Sequence, residues 1–298
     1  MKITEFMASS AFRQQVRSAR ADTVKFNEEI VTGKRVRKAS DDTSAFSLGK
    51  ITEDLIRKNQ QFEKSANTGL FHARTVQDSL DNMNDLMVSF KSLLISGAND
   101  TFNANDRQDM ALQARSIRDD LVDLANSQFN DTFVFGGTNT DTEPFFVDAT
   151  APGGIGTSST DRPLKVQVGN NTVVETSITG IELRDTPAGD LFELIDDAIT
   201  ALETDDLAKI QAGIDNTDET VKHLITQSTK TANSINRLDF VVERLEGRII
   251  DQSGELSRLV DADIVDSMMN FQSAQSTLET VMATQARMSQ TTLLNFLR

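Results

Sequence analysis

Apolar residues recur along this chain at alternating spacings of four and three, the pattern of helices that pair lengthwise through a narrow seam. One seam runs Phe12, Val16, Ala19, Thr23, Phe26, Ile30. A longer one runs Leu48, Ile51, Leu55, Lys58, Phe62, Ala66, Gly69, Ala73, Val76, Leu80, Met83, Met87, Phe90, Leu94. Lys58 alone breaks its apolar character outright. A third runs Met110, Ala114, Ile117, Leu121, Leu124. After a gap comes Ile210, Ile214, Thr217, Val221, Leu224, Ser228, Thr231, Ile235, Leu238, Val242, Leu245, Ile249. The last runs Ile264, Met268, Phe271, Gln275, Leu278, Met282, Gln285, and the chain then ends on "ARMSQTTLLNFLR". That ending places Leu293, Leu294, Phe296 and Leu297 near the terminus, where apolar residues invite aggregation unless something covers them.

Boundary signals fall where these seams need them. "KASDDTSAF" offers Ser40 or Asp41 as a helix N-cap, with further carboxylate expected in the first turn. Gly97 closes the second helix, "NAND" opens the third, and "DLFE" at Asp190–Glu193 resembles a capping box. A helix from 43 to 96 is roughly 80 Å long at the usual rise, which suits a rod better than a globule.

Residues 131–190 read differently. All four prolines lie there, with short apolar runs such as Phe133-Val134-Phe135 and Phe145-Phe146-Val147. "VQVGNNTVV" has the alternation and turn of a β-hairpin, and "ATAPGGIGTSSTD" reads as a flexible loop. The expected fold is mainly α: a long antiparallel coiled-coil or helical rod formed by the N- and C-terminal segments, with a small β-rich inserted domain. The expected division is 1–42 plus 255–298 as a terminal helical assembly domain, 43–131 plus 190–254 as the helical rod, and 132–189 as the insertion.

Charge refines this picture. The 298 residues carry 30 Lys/Arg and 45 Asp/Glu, a formal net charge of -15, which disfavours non-specific binding to nucleic acid or anionic lipid. The ends depart from that average. Residues 1–40 hold nine bases against four acids, about +5, and residues 251–298 hold six acids against three bases, about -3. Absent cysteine excludes a disulfide framework, a thiol nucleophile and a thiolate metal site. No apolar run is long enough to span a membrane, and the start lacks the pattern of a cleaved secretory signal.

Candidate chemistry is sparse. His72 and His223 fall within helical repeats, where packing or surface roles are the ordinary reading. "DADIVD", with Asp261, Asp263 and Asp266, resembles a calcium loop but lacks its central Gly and closing Glu, so a carboxylate-rich helix N-terminus fits better. "TGKRVRK" has no glycine cradle for a phosphate, and its basic cluster has no interleaved aromatic for nucleic acid. Asp41 and Asp42 are adjacent rather than convergent, which does not make an acid/base pair. The expectation is a protein without enzymatic activity, cofactor or metal.

Three stretches taken together resemble the flagellin superfamily over about the first 140 and last 110 residues. They are the amino-terminal helix ending in "VTGKRVRKASDDTSAF", the β-rich middle, and the carboxy-terminal "RLVDADIVDSMMNFQSAQSTLETVMATQARMSQTTLLNFL". "FVFGGTNTDTEPF" and "MSQTTLLNFL" resemble the branch that joins hook to filament. Ala39 and Thr43 stand where the family commonly has proline around its Ser-Asp-Asp loop.

The resemblance implies a structural subunit of the bacterial flagellum, exported unfolded without a cleaved signal and assembled outside the cell as a homo-oligomer in a helical tube. It implies another hook-associated protein on the hook side, flagellin on the filament side, and a cytosolic export chaperone at the C-terminal helix. It implies neither nucleic acid nor membrane insertion. The implied assembly residues are Phe12, Val16, Phe26, Ile30, Ile264, Met268, Phe271, Leu278, Met282, Leu293, Leu294, Phe296 and Leu297, with Ser40, Asp41 and Asp42 as the loop motif. The competing readings are a small flagellin that forms the filament itself and a cytosolic coiled-coil adaptor.

Overall fold

A computed structural model describes residues 2–296, with side chains described from 10 to 287. Helices dominate: α1 (Lys2–Thr32), α2 (Thr43–Gly97), α3 (Ala104–Ala125), α4 (Gly180–Arg184), α5 (Leu191–Glu203), α6 (Leu207–Val260) and α7 (Ile264–Phe296). The chain divides into two compact units, one of Met1–Lys58 with Arg248–Arg298 and the other of Asn59–Gly247. Helices α2 and α6 each contribute to both.

In the unit of residues 59–247 the sequence seams are seams in fact. Ala66, Ala73, Val76, Leu80, Met83, Met87, Phe90 and Leu94 of α2 are all buried, as are Ile210, Leu224, Leu238 and Leu245 of α6. Each such large side chain contributes about 1.5–3 kcal/mol of burial energy. Phe145 and Phe192 meet edge to face at 5.3 Å in the main cluster. Asn103 caps α3 through a full capping box with Asp106. Asp190 caps α5 by accepting from the amides of Phe192 and Glu193, only one half of the reciprocal box expected there.

The middle segment holds four antiparallel two-stranded hairpins. These are β1 (Gln128–Phe129) with β2 (Thr132–Phe133), β3 (Phe145–Val147) with β4 (Ile155–Thr157), β5 (Lys165–Gln167) with β6 (Val173–Glu175), and β7 (Asp185–Thr186) with β8 (Gly189–Asp190). The "VQVGNNTVV" hairpin forms as expected, pairing Val166 with Val174.

The "ATAPGGIGTSSTD" stretch is not a free loop. It supplies β4, and Gly153, at φ +61, lies so close to α5 that a Cβ would sit 2.3 Å from the Phe192 carbonyl carbon. Gly153 is there for close approach, whereas Gly154, at φ +73, has open space around it and serves the left-handed backbone turn. Arg107, which the sequence reading passed over, is buried. It donates to the carbonyls of Gly97 at 2.7 Å and Asn99 at 3.1 Å and pairs with Asp205, tying the end of α2 to the α5–α6 turn.

His72 is 4% exposed. Its Nδ1–H donates to the Thr176 carbonyl at 3.2 Å, and its ring meets Phe129 edge-on at 6.0 Å. Its Nε2 has no partner. Burial holds the imidazole below its ordinary pKa, opposed by the Thr176 bond. His223 donates through Nε2 to the Glu182 carbonyl at 2.7 Å. Both histidines pack or brace.

Candidate assembly interface

The unit formed by the two ends of the chain is built on α1 packed against α7. Their antiparallel course follows from three contacts at one end. The Ala262 amide donates to the Gly33 carbonyl at 2.8 Å, Lys34 and Asp261 form an antiparallel bridge, and Ser267 Oγ donates to Glu29 Oε2 at 3.1 Å. Gly33, at φ +67, ends α1 in the left-handed conformation favoured just past a helix. Its own amide returns to the Glu29 carbonyl at 2.8 Å.

The connector after Gly33 clamps the α6–α7 turn. The amides of Arg35 and Val36 both donate to the Val260 carbonyl, at 2.8 and 3.1 Å, and Arg35 Nη2 reaches the Leu259 carbonyl at 3.2 Å. Val36, Ala45 and Val260 are buried together, with Phe46, Leu256 and Leu259 around them. The basic cluster is absorbed locally: Arg37 pairs with Glu28, and Lys34 lies 4.0 Å from Glu53. Lys50 donates to Glu53 at 2.7 Å and, with the neighbouring bases, holds that carboxyl below its ordinary pKa.

In the loop motif, Asp41 accepts from the amides of Arg37 at 3.1 Å and Lys38 at 3.2 Å. The Arg37 bond leads in lowering its pKa. Asp42, and neither Ser40 nor Asp41, caps α2, accepting from the Ala45 amide at 2.9 Å. The first turn of α2 itself carries no acid, so the expected extra carboxylate sits at the cap. Ser40 is exposed. Asp263 caps α7 by accepting from Val265 at 2.9 Å and Asp266 at 3.2 Å, as the carboxylate-rich helix start implied.

The expected α1 seam is the covered one: Ala19 is buried, and Phe12, Val16, Thr23, Phe26 and Ile30 are half-buried. On α7 the covered seam is displaced. It runs Ser267, Phe271, Ala274, Leu278, Val281, Gln285, which keeps Phe271 and Leu278 but leaves Ile264, Met268 and Met282 exposed. Ser267 is 3% exposed and Glu29 6%, so a polar contact starts the seam. A four–three pattern read from the apolar residues Ile264 and Met268 passes over it. The same displacement occurs at the start of α2, where Ala45, Gly49 and Thr52 are buried and Leu48, Ile51 and Leu55 are exposed.

The helical ends therefore carry two kinds of apolar surface. One is satisfied within the chain. The other includes Leu48, Ile51 and Leu55 on α2 and Ile264, Val265, Met268, Met269 and Met282 on α7, all exposed. The side chains of Leu293, Leu294, Phe296 and Leu297 lie outside the described residues.

Residues 3–140 match the family model described as the bacterial flagellin N-terminal helical region. Over 301 aligned residues the chain is 24% identical to flagellar hook-associated protein 3 of Escherichia coli, covering 92% of this chain and 93% of that one. It is also 24% identical to flagellin FlaB1 of Treponema pallidum, covering 91% of each. Flagellar hook-associated protein 3 from Legionella pneumophila shares its fold at a TM-score of 0.63 and 12% identity, over 70% of this chain and 98% of that one. Similarity thus runs nearly end to end: the amino-terminal part resembles the flagellin helical region, and almost the whole chain resembles both a flagellar hook-associated protein 3 and a flagellin.

Proposed function

We propose that this chain is a structural subunit of the bacterial flagellum that joins hook to filament. The carrying observation is its near-full-length similarity to a flagellar hook-associated protein 3. The uncovered apolar residues on α2 and α7 suit a subunit completed by its neighbours. In this reading residues 1–42 with 255–298 form the assembly domain, 43–131 with 190–254 a helical support, and 132–189 the variable insertion. Copies associate in a helical tube, with a hook-associated protein on one side and flagellin on the other. The chain is exported unfolded, with a chaperone on its C-terminal helix beforehand, and acts outside the cell. Its role is mechanical, without catalysis.

Similarity to a flagellin over 91% of the chain keeps a filament-forming role as the second reading. Adding purified protein to isolated hooks separates the two. A junction subunit adds a short, self-limiting layer, visible by electron microscopy, whereas a flagellin grows long filaments. The same chain lacking residues 286–298 adds nothing if the carboxy-terminal helix carries assembly. Long growth from full-length chain, or normal addition by the truncated one, contradicts the proposal.

A further inference from the structure

We propose that Met268 and Met269 form a peroxide-sensitive modification site whose oxidation blocks self-association of the chain. The proposal rests on the assembly reading above. Ile264 with Met268, and Val265 with Met269, are each four residues apart on α7, so the four side chains share one side of the helix. All four are exposed, Met268 at 54% and Met269 at 63%. Ser267 and Phe271, between and beyond them, belong to the covered seam. Met83 and Met87, in contrast, are each 1% exposed in the core of the other unit.

The composition sharpens the chemistry. The chain has no Cys, Trp or Tyr, so thioethers are its only sulfur and its most readily oxidised side chains. A sulfur lone pair of the methionine attacks one oxygen of hydrogen peroxide. The S–O bond forms as the O–O bond breaks; the sulfur loses two electrons to become a sulfoxide. The departing hydroxide takes the proton of the transferred oxygen and leaves as water. The product is polar and unpartnered where the native residue offered apolar surface, so covering that patch with a second copy becomes unfavourable. Assembly, by covering the patch first, protects it.

Full-length chain is treated with hydrogen peroxide, each methionine is followed by peptide mass spectrometry, and association is followed by light scattering. Met268 and Met269 are expected to oxidise faster than Met83 and Met87 by on the order of tenfold or more. Oxidised wild type should lose association, and methionine sulfoxide reductase should restore it. The M268L/M269L variant, which has no thioether at either position, should show the same association after peroxide as before it. Wild type that associates equally with both residues fully oxidised overturns the modification alone. So does loss of association in the treated double variant equal to that of wild type. Untreated wild type that never associates overturns the assembly reading and this proposal with it.

Discussion

His72 shows how a single residue can be read correctly in kind and still hold a consequence that only the fold reveals. Its place within a helical repeat marked it as a packing or surface residue, and it is packed. The Thr176 carbonyl it bonds lies 104 positions along the chain, so neither that bond nor the unpartnered Nε2 leaves a local trace in the sequence. Because burial lowers its folded-state pKa, the ring is neutral in both states above the ordinary value of about 6.5. Below that value the unfolded chain takes up a proton that the folded chain resists, so stability is lost as pH falls through this window toward the lowered folded pKa. Urea unfolding of wild type should therefore weaken between about pH 7 and pH 5.5 more steeply than that of H72Q. Equal slopes would remove His72 as the cause. Arg107 is the opposite case: nothing in the pattern marked a charged residue in the first turn of α3 as buried, because its partners are two backbone carbonyls of the preceding α2–α3 turn and the remote Asp205 carboxylate.

At the scale of elements, legibility followed the strength of the apolar repeat. Where one stripe of large residues dominates, as in α2 from Ala66 to Leu94, every seam position is buried. Where apolar residues lie on two sides of a helix, as in α7, spacing alone cannot choose between them. The covered side there begins with Ser267 bonded to Glu29, a polar contact that a hydrophobic count skips. The connector clamp of Gly33, Arg35 and Val36 on the α6–α7 turn is made by backbone groups and is silent in sequence for the same reason.

The two sides of α7 should respond differently to truncation. Phe271→Ala, on the covered seam, should destabilise α1–α7 pairing in the isolated chain by about 1–3 kcal/mol, read as faster amide hydrogen exchange in both helices. Met268→Ala should change that exchange by no more than about 0.5 kcal/mol while reducing association, read by light scattering. Loosening by Met268→Ala equal to that by Phe271→Ala would place Met268 in the intramolecular seam instead.

For the molecule as a whole, a mainly α fold was legible because helical periodicity is local, and the return of the two ends to one another was legible because their seams lacked other partners. The β-rich insertion was legible in composition but not in detail. Its strands are two or three residues long and are held by side-chain contacts such as Asn126 with the Phe145 backbone, at 2.8 and 3.0 Å. Similarity to hook-associated protein 3 spans nearly the whole chain, and the exposed apolar residues on α2 and α7 are what a subunit of a larger assembly would present. The most direct measurement is electron microscopy of cells from which this gene alone is deleted, together with an assay for flagellin in the medium. Hooks that bear no filaments, with flagellin released outside the cell and both defects reversed by the intact gene, are the predicted result. Filaments of normal number and length on the deleted strain would contradict the account.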